Sequence, residues 1–219
     1  DFTSSGLSAS SQTTDTPTDS GTTIGNYATW NPLWIGQYML GETNTFSDGN
    51  LTYTGGDTGG GARPMSTIPM VFSQSWYVEV TYDVVSAGTE YLGLIFDPIV
   101  SSATATAIMY ASSGVKSLFN VETSYGATWT AGDAIGIHYD SSSDELSFYK
   151  NGNDEGVAAT SVSNTGDQAF VFCFLGRATD KVTINSGQSA FTGTAPAGAL
   201  PLCTANLPAP TITKPTDQF

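Results

Sequence analysis

The stretch that most narrows what this chain can fold into is residues 132–156, GDAIGIHYDSSSDELSFYKNGNDEG. Ala134, Ile135, Ile137 and Tyr139 make a β-prone run. After a Ser/Asp loop, residues 145–150 alternate, so that Leu146 and Phe148 point to one face and Ser147 and Tyr149 to the other. The pattern predicts a half-buried antiparallel hairpin. It ends at Asn151-Gly152, a dipeptide that tolerates positive φ at both centres of a two-residue turn, and residues 153–156 then lead into the next strand. Two turns are thereby fixed within about 25 residues.

The rest of the chain speaks the same language. Residues 76–84 set Trp76, Val78, Val80 and Tyr82 against Tyr77, Glu79, Thr81 and Asp83, a period-2 strand predicted to be central because both faces carry aromatic residues. Residues 46–53 read as a short hairpin around Ser47-Asp48-Gly49-Asn50, and residues 91–96 as an apolar strand stopped by Asp97-Pro98. Residues 105–110 and 115–121 are two further strands around Ser112-Ser113-Gly114, and residues 181–184 form another after a turn at 177–180. Residues 169–175, AFVFCFL, are the most apolar run and are predicted to be buried on both faces. No amphipathic helix of more than two turns is visible. Short strands at intervals of roughly 8 to 12 residues, separated by Gly, Ser and Asn turns, predict an all-β antiparallel β-sandwich rather than an α/β fold.

At 219 residues the chain suffices for one β-rich domain that buries roughly 70% of its unfolded surface. Residues 1–25, almost wholly Ser, Thr, Asp and Gly, read as an arm or linker, residues 26–208 as the domain, and residues 209–219 as a Pro/Thr linker to a further segment. The start at Asp1 and the Lys-Pro-Thr ending suggest a processed chain or part of a longer one. Six Lys and Arg against 20 Asp and Glu give a net charge of −14, without the phosphate-neutralising patch that nucleic acid requires. Anionic membranes are disfavoured too, and no apolar run approaches the about 18 residues needed for insertion. Charged residues are only 12%, so a neutral hydroxyl-rich surface is expected, suited to packing in an assembly or to sugars. Cys173 and Cys203 are too few for a zinc site and read as reduced, buried thiols, with a Cys173–Cys203 disulfide as the alternative.

Little here points to chemistry. His138 is the only histidine, and a strand would put it on one face with Asp140, yet no Gly-x-Ser-x-Gly elbow exists. Glu79 with Asp83 is the best-placed carboxylate pair for a glycosidase, whereas Asp144/Glu145 and Asp154/Glu155 fall in turns, where acids are ordinary. Calcium at Asp48, Asp140 or Asp144 lacks the dense alternation of acids with Gly that an EF-hand loop needs. The Gly-rich residues 55–61 are not followed by Gly-Lys-Ser/Thr or by a helical pattern, which removes a phosphate loop. No cofactor and no metal are expected, and the chain is read as non-enzymatic.

The "GD-x-IG" strand, the acidic turn and "L-x-FYKNG…G-x-A" (Gly132, Asp133, Ile135, Gly136; Leu146, Phe148–Gly152; Gly156, Ala158) resemble the C-terminal core of SPRY domains. Trp76-Tyr77-Val78-Glu79-Val80, Tyr91-Leu92-Gly93-Leu94 and Thr128-Trp129 are similar to other strands of that family, in the expected order. Outside them, NYATWNPL at 26–33 and FTGTAPAGALPLCTANLP at 191–208 resemble the ends of SPRY-bearing proteins of tailed phages. The resemblance implies a concanavalin-like jelly roll whose core includes Trp76, Val78, Val80, Leu92, Leu94, Trp129, Ile135, Ile137, Leu146, Phe148, Phe170, Phe172 and Phe174. It makes Glu79 structural. It implies a virion component, a tail fibre, spike or capsid appendage, whose partners are other virion proteins, a host cell-surface polysaccharide and further copies of the chain. The alternatives are a peptide-binding SPRY module and, behind it, a concanavalin-fold glycosidase. For a glycan, loop aromatics beside polar side chains are the expected site, and Tyr125, Arg63, Asp97 and Arg177 are the candidates.

Overall fold

The structure, a computed structural model, describes residues 21–22, 24–34, 44–56, 63–85, 88–97, 106–175 and 179–208. The strands, numbered in chain order, form two sheets. The first has eight strands. Its path runs β1 (Thr45–Ser47), β2 (Thr52–Thr54), β13 (Lys181–Asn185), β4 (Trp76–Val84), β9 (Ala134–Asp140), β10 (Glu145–Lys150) and β11 (Asn153–Thr160), with β14 (Leu200–Pro201) pairing in parallel to the start of β4. The second has six, in the order β3 (Met70–Val71), β12 (Gln168–Phe174), β5 (Tyr91–Ile95), β6 (Ala107–Ala111), β7 (Val115–Leu118) and β8 (Val121–Ser124). This is the expected antiparallel jelly-roll sandwich. Helix among the described residues includes the 3-10 turns Val162–Thr165 and Thr204–Asn206.

The organising hairpin sits where its pattern puts it. Asn151 and Gly152 have φ of 49° and 81°, the two left-handed residues of a tight turn, so β10 passes directly into β11. Val78 stands opposite Ile137, and Ile137 opposite Phe148, a row of fully buried side chains across three strands. They meet Leu92, Leu94, Ile108 and Tyr110 of the second sheet in one continuous core.

Two sequence expectations need correction. Residues 115–121 are a hairpin, not one strand: β7 turns at Phe119 (φ 51°) and Asn120 (φ 71°) and returns as β8, with Phe119 N–H donating to Ala107 O at 3.0 Å. A Phe in the left-handed region is uncommon, which is why the sequence hides this turn. On β12 the phenylalanines face away from the main core. Val171 and Cys173 pack inward instead, and Phe172 joins Met65, Ile95, Ala107 and Met109 in a second cluster, against which Phe170 packs. The main core already receives Trp30, Trp76, Tyr53, Tyr82, Tyr110, Tyr139 and Phe148, so the smaller alternate residues of β12 fit that side.

The two flanking segments pair with each other. Tyr27 bridges to Cys203, Ala28 N–H donates to Leu202 O at 2.9 Å, and Asn26 N–H donates to Thr204 Oγ1 at 3.0 Å across a separation of 178 residues. Ser186 Oγ donates to Ala28 O at 2.9 Å, and Trp30 Nε1 to Val182 O at 3.3 Å. Trp30, Leu202 and Cys203 are fully buried, so this clasp is part of the folded body. Cys173 and Cys203 are both free and buried. Of the predicted arm, residues 1–20 lie outside the described residues, as does the linker 209–219.

Candidate functional site

Each sheet has an outer face, and the two are treated differently. On the eight-stranded sheet, the chain after β13 crosses back over the surface. Glu79, nearly fully buried, accepts from Thr192 N–H at 2.7 Å, Gly193 N–H at 3.2 Å and the Tyr77 hydroxyl at 3.1 Å. Phe191 meets the Tyr77 ring edge-on at 4.9 Å. Gly193 lies against Gly152, where a Cβ on Gly193 would come within 2.3 Å of the Gly152 Cα. Burial, with Glu79 adding to it, pushes the Tyr77 phenol well above its ordinary range. Glu79 thus anchors a strap.

On the six-stranded sheet the outer face holds a half-open concavity of about 160 Å³, lined by Tyr91, Met109, Ser117, Asn120, Glu122 and Phe174. Strand register builds it: Met109 stands opposite Ser117 and Ser117 opposite Glu122, while Phe174 stands opposite Tyr91, so all lie on one face. Asn120 comes from the β7–β8 turn. Tyr91 and Phe174 form two walls, ring centroids 6.1 Å apart and planes at 89°. Met109 and Ser117, each 2% exposed, are its most buried lining residues. The Tyr91 hydroxyl donates to Glu122 Oε1 at 2.8 Å. Burial and then the Glu122 carboxylate raise this phenol to about 12, so it remains a neutral donor at physiological pH. The Arg63 guanidinium stands 5.0 Å from the centre of the Phe174 ring.

Of the sequence candidates, Arg63 therefore borders the concavity. Asp97 is exposed beyond β5, its carbonyl accepting from Thr106 Oγ1 at 2.9 Å, and does not line it. Tyr125 is not an open platform: half-buried, it packs against Tyr110 and Phe148, its hydroxyl donates to Gly156 O, and Phe148 N–H donates to it at 3.1 Å. Arg177 lies outside the described residues. Tyr91, Asn120, Glu122 and Phe174 were missed, because the first step in finding them is the unforeseen turn and the second the true facing of β12.

Most of the other candidate acids are occupied. Asp140 accepts from the Ser142 hydroxyl at 2.7 Å and amide at 2.8 Å, which hold its carboxyl below the usual range, and no hydrogen bond joins it to His138. Asp144, partial burial notwithstanding, is held low by the Ser163 amide and hydroxyl and by the Tyr139 phenol. Asp83 accepts from Thr183 Oγ1 at 2.6 Å, Glu155 from Ala127 N–H at 2.7 Å and Asp154 from Gly156 N–H at 2.8 Å. Among the described residues no group of three or more His, Cys, Asp or Glu is placed to hold a metal ion.

Residues 71–189 match the model of the SPRY domain family, a span containing every residue that lines the concavity but not the clasp. The SPRY domain of human HERC1 superposes with a TM-score of 0.56 at 18% identity, covering 64% of this chain and 91% of its own. Another human SPRY domain gives 0.52 at 18% identity, covering 65% and 94%. At that identity the likeness is one of fold. No curated protein matches the sequence. With the family's model spanning more than half of the residues, and its strands and hairpin realised in order, the chain belongs to the SPRY domain family.

Proposed function

We propose that this chain is a non-enzymatic protein-interaction module that receives one side chain of a partner segment in the concavity on the outer face of the six-stranded sheet. The observation that carries this is a pair of half-exposed aromatic walls around a polar lining in which, among the described residues, the Ser117 hydroxyl, the Asn120 carboxamide and one oxygen of Glu122 are left without a hydrogen bond. At about 160 Å³ the space is below the roughly 300 Å³ at which drug-sized pockets begin, which suits a single side chain presented by a longer segment. Rigid strands hold the walls, so little ordering is required on binding. The test is an immobilised library of random heptapeptides probed with the full chain and with Phe174→Ala. Wild type is expected to retain a subset of peptides and Phe174→Ala to lose them by at least about tenfold, the effect of one buried aromatic anchor. No retained peptide, or unchanged retention by the variant, would overturn this reading.

A second reading places the module in a tailed-phage particle, among other virion proteins and against a host polysaccharide. What supports it is the flanking pair of motifs, which lie outside the SPRY match and pair with one another in the clasp. Binding of the chain to purified host surface polysaccharide, lost in Arg63→Ala, is the corresponding measurement.

A further inference from the structure

We infer that the side chain taken by this concavity is cationic, a lysine ammonium or an arginine guanidinium; the inference rests on the interaction reading above. Glu122 is the one carboxylate among the lining residues, and none of them is basic. Tyr91 fixes its orientation through Oε1, and Oε2 accepts no hydrogen bond. The Ser117 hydroxyl and the Asn120 carboxamide also make no side-chain hydrogen bond, although both line the same space. Three unspent acceptors thus line one space. An ammonium carries three donors and no acceptor, and a guanidinium five donors, so either can meet all of them, whereas a carboxylate would meet Glu122 head-on.

The walls fit the same ligand. Aromatic faces attract cations, and the methylene stem of Lys or Arg packs on Met109 and the rings while its head stays near water. Phe174 already shows this, with Arg63 on its ring at 5.0 Å. Arg63 also divides the site: charge repulsion directs an incoming cation away from it, to the Glu122 and Tyr91 side. At long range, a chain of net charge −14 draws basic partners rather than acidic ones. The strained turn has a role here too. Phe119 and Asn120 at positive φ bring β8 back in the register that sets Glu122 beside Ser117 and Asn120 at the rim.

The experiment is an amide-resolved NMR titration of the full chain with ethylammonium, ethylguanidinium and acetate at constant ionic strength. Both cations, or one of them, are expected to shift the amides of Ser117, Asn120 and Glu122 saturably, and acetate not to. Whichever saturates identifies lysine or arginine as the occupant. Glu122→Gln is expected to weaken that binding by about fivefold or more, the worth of one partly exposed ion pair. Tyr91→Phe, which keeps the ring and releases the carboxylate, should weaken it less. Acetate shifting the same amides as strongly, or Glu122→Gln binding the cations unchanged, overturns the inference. The peptide library separates the two readings. Peptides retained equally by wild type and Glu122→Gln leave the module standing and remove the cationic occupant; cations that bind without any retained peptide do the reverse.

Discussion

Each sheet carries a tyrosine that hydrogen-bonds a glutamate on its outer face, and the two pairs have opposite fates. Tyr77 donates to Glu79 at 3.1 Å and is sealed under the strap, where both remaining needs of the carboxylate are met by the Thr192 and Gly193 amides. Tyr91 donates to Glu122 at 2.8 Å and stays half-exposed, with an oxygen to spare. The chemistry is the same. What differs is whether the chain returns across the face: where it does, the carboxylate becomes an anchor that would be costly to leave unpaired. Where the described residues leave the face open, it keeps an acceptor for the partner side chain proposed above.

The largest expected effect tests that contrast directly. Tyr77→Ala removes a fully buried aromatic packed by Phe191 and Tyr149 and should destabilise the fold by about 3 to 5 kcal/mol. Tyr91→Ala, at the open wall, should cost less than about 1.5 kcal/mol. Denaturant melts of the two variants measure this. Equal losses would mean that the outer face of the six-stranded sheet is as structural as its counterpart.

The carboxylates provide a finer version. Glu79→Gln leaves one of two strap amides facing an NH₂ group instead of an acceptor, for a loss of about 1.5 to 3 kcal/mol. Glu122→Gln should change stability by about 0.5 kcal/mol or less. Hydrogen exchange at Thr192 and Gly193 sharpens the comparison, since both amides should lose protection in Glu79→Gln alone. A strap that stays protected would show that Phe191 and the Gly152–Gly193 contact hold it without the charge.

The fold was legible where local signals and tertiary packing agree. The Asn151-Gly152 turn, the alternation of Trp76–Val84 and the Leu146/Phe148 face were written in residue types with one comfortable conformation each. The open face was not legible, for two physical reasons. Phe119 occupies a backbone conformation that its type disfavours, so the turn that brings Glu122 beside Ser117 carries no local signature. On β12 both faces are apolar, and periodicity alone cannot say whether Phe or Val and Cys face the core. That choice is made by the volume of the opposing sheet's aromatics, which is a tertiary property. The Glu79 role was half-visible: the resemblance of residues 76–80 to a SPRY strand marked it as structural, but the amides it holds come from a segment 113 and 114 residues away.

The smallest expected effect is also the most attributable. His138 lies on the sealed outer face, its ring edge-on to Tyr149 at 6.0 Å, and burial lowers its pKa below the usual 6.5 although Asp140 and Asp154 pull the other way. A histidine depressed in the folded state takes up its proton first in the unfolded chain. Between the two pKa values the unfolded state therefore binds more protons, stability rises with pH, and the full contribution is present above about pH 6.5 and lost as the pH falls below it. Because the ring is only partly covered, solvent screening keeps the loss to about 0.5 kcal/mol or less. The chain has no other histidine, and the depressed Asp133, Asp140 and Asp144 carboxyls act as the pH falls towards and below about 4, so the difference between wild type and His138→Gln isolates this contribution between pH 5 and 7. Melts of wild type across that window should slope gently upward, and His138→Gln should flatten them. A slope of the opposite sign would mean that the Asp140 and Asp154 charges outweigh burial, and that the face under the strap is wetter than its packing indicates.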